Sequence, residues 1–180
     1  MTKQLDLFLP EDEEPAPPPP RPDTAKSEIA LPDVGVGFEL DGSGANTSFT
    51  YGYRDADNYS QRKEVVLRGR LSRADIAGIL RTASDYNHFI PGDVGMENLQ
   101  PRFNSGWEIE ADHPWHQIIQ IAYVDDSPTS DDYQDVMTVV DLVAKWPTTQ
   151  EDWDFMGAEE RLIEAMGLSE GSQKKYGAAD

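Results

Sequence analysis

The chain has no cysteine, which excludes a disulfide framework, a thiolate zinc site and a cysteine nucleophile. Basic residues are scarce as well: 15 Lys and Arg face 34 Asp and Glu, a formal charge of −19. Such a surface repels phosphate backbones and anionic lipid, so neither direct nucleic-acid binding nor membrane attachment is expected. No apolar run approaches the roughly 20 residues that span a bilayer. Met1-Thr2-Lys3-Gln4 lacks the apolar stretch of a secretory leader. A soluble, cytoplasmic protein is the expectation. Catalytic signatures are missing too: there is no phosphate-cradling GxxxxGK and no nucleophile elbow. Gly35-Val36-Gly37 lies inside a strand pattern and opens no helix, so it is not a dinucleotide fingerprint. No enzyme activity, cofactor or metal is expected.

What the chain does have is a sharp change of composition near residue 33. Residues 1–33 carry 8 of the 13 prolines, the run Pro17-Pro18-Pro19-Pro20 and the acidic block Glu11-Asp12-Glu13-Glu14. Proline favours extended polyproline II and supplies no N–H, so residues 1–32 read as a disordered, semi-rigid arm. Residues 33–168 read as one globular domain, and 169–180 as a flexible tail.

Within the domain, Val34, Val36, Phe38 and Leu40 alternate with Gly35, Gly37 and Glu39, the period of a half-buried strand. Asp41-Gly42-Ser43-Gly44 is a turn cluster, and Phe49, Tyr51 and Tyr53 resume the alternation, which predicts a hairpin. A third strand is expected at Glu64–Arg68 and a central one over Ile118–Val124. Ser72 with Asp75 forms a capping-box signature for a helix bearing Ile76, Ile79, Leu80 and Ala83. A second helix is expected from Asp131-Asp132, burying Tyr133, Val136, Met137, Val140, Val143 and Ala144. A last one over 150–166 would bury Trp153, Phe155, Met156, Leu162 and Met166, with Gly167 as its cap. Strands first and helices later argue an α+β fold: an antiparallel sheet of about four strands with two or three helices on one face.

Gln4-Leu5-Asp6-Leu7-Phe8 stands at the start of the arm. It resembles the pentapeptide by which bacterial DNA polymerases and repair proteins attach to the DNA polymerase sliding clamp, and all five positions match. The resemblance implies an extended peptide in a groove of the clamp. Leu7 and Phe8 would fill an apolar pocket, Leu5 would pack beside it, Gln4 would hydrogen-bond at the rim and Asp6 would face outward. Burying each apolar anchor is worth about 1.5–3 kcal/mol, enough for three to offset the ordering of a short peptide. The competing reading has Leu5, Leu7, Phe8 and Leu9 docking on the protein's own sheet.

Three stretches of the domain form a second pattern: Tyr53-Arg54-Asp55-Ala56-Asp57-Asn58-Tyr59, Phe89-Ile90-Pro91 with Val94-Gly95, and His113 with Trp115-His116. They resemble landmarks of small uncharacterised bacterial proteins found on plasmids and other mobile elements. In that family the last landmark continues with Glu, where this chain has Gln117; the family implies no activity.

Other constellations carry less. His113 and His116 would share a face on a helix but point apart on a strand, so loop-to-strand hydrogen bonding around a buried Trp115 is favoured over zinc. Asp55, Asp57 and Asn58 lack EF-hand spacing and read as a turn. Residues 54–81 carry seven bases against four acids, with Arg68 and Arg70 on one strand face, whereas 125–165 carry twelve acids against two bases. The function expected is thus a non-enzymatic accessory or regulatory protein of DNA replication or repair, held on the clamp by its arm. The alternative is an acidic DNA mimic acting in antirestriction or antidefence for a mobile element.

Overall fold

A computed structural model describes residues 29–102, 111–129 and 136–167. The arm with Gln4–Phe8, the expected helix start at Asp131-Asp132, Tyr133 and the tail 169–180 lie outside the described residues. Inside them the fold is α+β, a five-stranded mixed sheet with three helices. The strands are β1 (Gly37–Glu39), β2 (Asn46–Arg54), β3 (Ser60–Leu67), β4 (His88–Phe89) and β5 (His116–Val124). The helices are α1 (Arg73–Thr82), α2 (Val139–Lys145) and α3 (Phe155–Ala165).

The sheet order is β1-β5-β2-β3, with β4 also on β5. β2 pairs antiparallel with β3 and β5, and β4 antiparallel with β5, while β1 runs parallel to β5. This corrects the expected hairpin between Val34–Leu40 and Phe49–Tyr53. The chain's most apolar strand inserts between them, and β5 buries Ile118, Ile121 and Ala122 there. β5 is the central strand, as its apolar run implies.

The β2–β5 ladder is interrupted by a bulge. Thr50 pairs with Gln120 but Tyr51 pairs with Ile118, leaving Ile119 as the extra residue. The slip explains how Ile118 and Ile121, three apart, are both fully buried on one face. His116 lies two residues before Ile118 and is drawn into the same face.

That face and the three helices enclose one core of Phe49, Tyr51, Phe89, Ile79, Leu142 and Trp153 with their neighbours. Ser72 caps α1 as its sequence implies: its hydroxyl accepts the Asp75 N–H at 3.1 Å, and the Asp75 carboxylate accepts the Ser72 N–H at 3.1 Å. Trp146 and Trp153 fasten the later elements to the end of α1. Trp146 Nε1 donates to Thr82 Oγ1 at 3.0 Å and Trp153 Nε1 to the Thr82 carbonyl at 2.9 Å.

The second and third helices depart from expectation. α2 starts at Val139, because Thr138 and Asp141 close a capping box there. Its phase therefore buries Leu142, while Val140 is 72% exposed and Val143 and Ala144 face outward. The stretch 150–166 is two pieces: a 3₁₀ turn at Gln150–Asp152, then α3, started by the Asp154 side chain accepting the Gly157 N–H. The restart turns Ala158 and Leu162 inward and leaves Met156 at 65% exposure. Gly167, at φ +68°, ends α3 in the left-handed region as expected. β3 stops at Leu67, where Arg68 bridges to Thr138, so Arg68 and Arg70 do not share a strand face. Arg70 instead lies over the Tyr123 ring at 3.8 Å.

Candidate functional site at the histidine end of the sheet

The three histidines of the chain converge at one end of the sheet, and each is brought there by a different element. β2 ends on its core face with Tyr53, whose ring lies 5.2 Å from that of His113 and 5.3 Å from that of His116. β4 pairs His88 with Gln117 and Phe89 with His116. The Ala56 N–H donates to the Ala111 carbonyl at 3.2 Å, tying the β2–β3 turn to the approach of β5. The three separated stretches that carry the second sequence resemblance therefore meet at a single place.

Their chemistry differs residue by residue. His116 is fully buried. Its Nε2 accepts the Leu99 N–H at 2.9 Å and its Nδ1–H donates to the Pro114 carbonyl at 3.0 Å. Burial pushes its pKa down to about 3, against the Pro114 carbonyl, which favours the charged ring. Both nitrogens are committed, so His116 offers no lone pair to a metal and no proton to a reaction. His113 is half-buried, with Nδ1 buried and unpartnered among the described residues. Burial lowers its pKa, against the backbone near Arg54, which favours the charged form. The His88 Nδ1–H donates to the Asp85 carbonyl. Among the described residues no three His, Asp or Glu side chains are placed to hold a metal.

Tyr53 donates its hydroxyl proton to Asp112 Oδ1 at 2.6 Å. Burial, and then Asp112 itself, hold the phenol above its ordinary pKa, so Tyr53 is a neutral structural donor. Trp115 is half-buried, not buried as expected, and stacks on Phe155 at 6.1 Å. The turn after β2 is an ordinary one: Asp55 Oδ1 accepts the Tyr59 N–H at 2.8 Å, and Asn58 takes a left-handed φ of +71°.

These residues border a cleft of about 420 Å³. Arg54, Arg62, His88, His113 and Trp115 contribute to its walls. Gly52 forms part of its floor, flanked by Arg62 on β3 and Gln117 on β5 in one row across three strands. A Cβ at Gly52 would come within 2.9 Å of Ile119 Cδ1 and 3.0 Å of the Gln61 carbonyl. Glycine is thus what lets Ile119 and the β3 backbone approach the middle strand this closely. Arg54 and Arg62 are exposed, and neither has an ion pair among the described residues.

Sequence reasoning named His113, His116 and the 54–58 turn and grouped them through a family resemblance, but did not place them together in space. It missed Gly52, although a lone glycine inside an alternating strand is the signal for a close approach. No described helix is long and apolar enough to cross a membrane. No family model, curated protein or solved structure matches this chain, so the site is read from its own residues.

Proposed function

We propose that this is a cytoplasmic, non-enzymatic accessory protein of bacterial DNA replication or repair, held on the sliding clamp by Gln4, Leu5, Asp6, Leu7 and Phe8. The observation that carries the reading is the match of all five positions to the clamp-binding pattern, placed ahead of a proline-rich spacer. A spacer of about 24 residues at about 3.1 Å each reaches up to roughly 70 Å, leaving the domain room to act while tethered. Leu5, Leu7 and Phe8 supply the apolar anchors, and a ring of identical subunits offers several sites at high effective concentration.

The test is binding of the full chain to immobilised bacterial clamp. Retention is expected for the parent, and its loss for the double variant Leu7→Ala, Phe8→Ala and for a chain lacking residues 1–32. Equal retention of all three removes the proposal. An acidic DNA mimic would keep its activity without residues 1–32, so inhibition of a restriction nuclease by the shortened chain would favour that reading instead.

A further inference from the structure

We propose that the cleft between Arg54, Arg62 and His113 binds a small organic phosphate of mononucleotide size, its phosphate held by the two arginines and its organic part lying toward Trp115 and the Gln61 and Gln117 amides. The proposal is independent of the arm and its partner.

Charge makes the first argument. On a chain of formal charge −19, a cleft whose charged walls are Arg54, Arg62 and Asp55 carries a formal +1, counting histidines neutral. Asp55, the one carboxylate there, has an oxygen committed to the Tyr59 N–H. Carboxylates engage two other bases: Lys63 meets Glu97 at 2.5 Å, and Arg161 meets Asp93 at 2.6 Å and Asp154 at 3.0 Å. Arg54 and Arg62 have no such partner among the described residues, so their guanidinium donors are free for an anion.

Geometry makes the second. Arg54 pairs with Ser60 and Gly52 with Arg62, so the two arginines are diagonal neighbours on one face. Diagonal positions lie roughly 7–8 Å apart, within reach of a single phosphate for side chains this long. Gly52 adds no side chain of its own to the row between Arg62 and Gln117, and Ile119 and the Gln61 carbonyl close in on it. Inorganic phosphate alone would leave most of about 420 Å³ unfilled. The remaining walls offer a Trp, imidazoles and two carboxamides, groups that pack against a flat polar ring and hydrogen-bond its edge. A DNA strand would bring further phosphates against the acidic remainder of the surface, which favours a free small molecule over a strand end.

The experiment is calorimetric titration of the full chain with AMP, TMP, inorganic phosphate and a 5′-phosphorylated oligonucleotide. Saturable one-site binding of at least one mononucleotide is expected, tighter than that of inorganic phosphate or the oligonucleotide. Arg54→Gln and Arg62→Gln should each weaken it by about tenfold, the loss of one charge-assisted contact. Arg73→Gln, on α1, should leave it unchanged. Thermal melts of the exposed-arginine variants should match the parent, which separates lost binding from lost folding. Absence of saturation at millimolar nucleotide overturns the proposal. So does phosphate binding as tightly as nucleotide, tighter binding of the oligonucleotide, or an equal loss in Arg73→Gln.

Discussion

In the helical layer of this protein, the carboxylates at the helix starts are consumed by the fold; at the histidine end of the sheet, two arginines are left over. Asp75, Asp141 and Asp154 each sit at a helix start and accept backbone N–H groups or support a cap that does. Hydrogen bonds to Asp141 from Thr138, to Asp152 from Thr148 and to Asp154 from Arg161 hold these carboxylates below their usual range. Three of the nine acidic residues in the described part of 125–165 therefore have a local structural use. Arg54 and Arg62 have none, and neither caps, bridges nor packs a core element. On a strongly acidic chain, two such arginines bordering one cleft are the more informative feature.

The contrast is sharpest between His116 and its surroundings, and replacing His116 has the largest expected effect. His116→Ala strands the buried Leu99 N–H and Pro114 carbonyl and opens a hole beside Tyr51, Tyr53 and Phe89. The combined cost is about 3 kcal/mol, measurable by denaturant unfolding at pH 7.5. The deficit should shrink with acid. A base whose folded pKa lies at about 3, against an ordinary 6.5, binds fewer protons folded than unfolded between those values. Its contribution is complete above about pH 6.5 and falls by about 1.4 kcal/mol per unit below it. The parent should lose stability from pH 6.5 to 4.5, partly through His113, whose shift has the same sign and cause. His116→Ala should lose less over that window. A gap constant with pH would show that the ring is not locked in its neutral form.

Leu142 and Val140 measure how far patterning could be read. Leu142→Ala should cost about 3 kcal/mol, whereas Val140→Ala should change stability by less than about 0.5 kcal/mol; thermal melts compare the two. An equal loss would restore the helix phase expected from Val136, Val140 and Val143. That expectation failed because Leu, Val and Ala recur on every side of residues 136–144, so periodicity left the phase open and the Thr138–Asp141 box settled it. Where a cap stood beside a clean stripe, as at Ser72 with Ile76, Ile79 and Leu80, helix and buried face were both legible. β5 was legible as a central strand from its composition. Its neighbours were not, since no local signal states that β5 inserts between β1 and β2. The cleft was hidden for the same reason: Gly52, His88 and His113 meet only through long-range pairing.

The smallest effects complete the comparison of charge consumed with charge left over. Ser72→Ala and Thr138→Ala each remove a hydroxyl that accepts a first-turn N–H, at 3.1 Å from Asp75 and 3.1 Å from Asp141. Each should cost about 1 kcal/mol, and the two should add, because the caps belong to different helices and share no partner. Arg62→Gln should change stability by less than about 0.5 kcal/mol, since an exposed side chain with no ion pair among the described residues leaves nothing unpaired when shortened. Denaturant midpoints of the three variants, taken at one pH, rank these costs directly. A loss at Arg62 equal to that at Ser72 would mean that the arginine supports the fold, and the division between structural and available charge would fail at the residue on which it most depends.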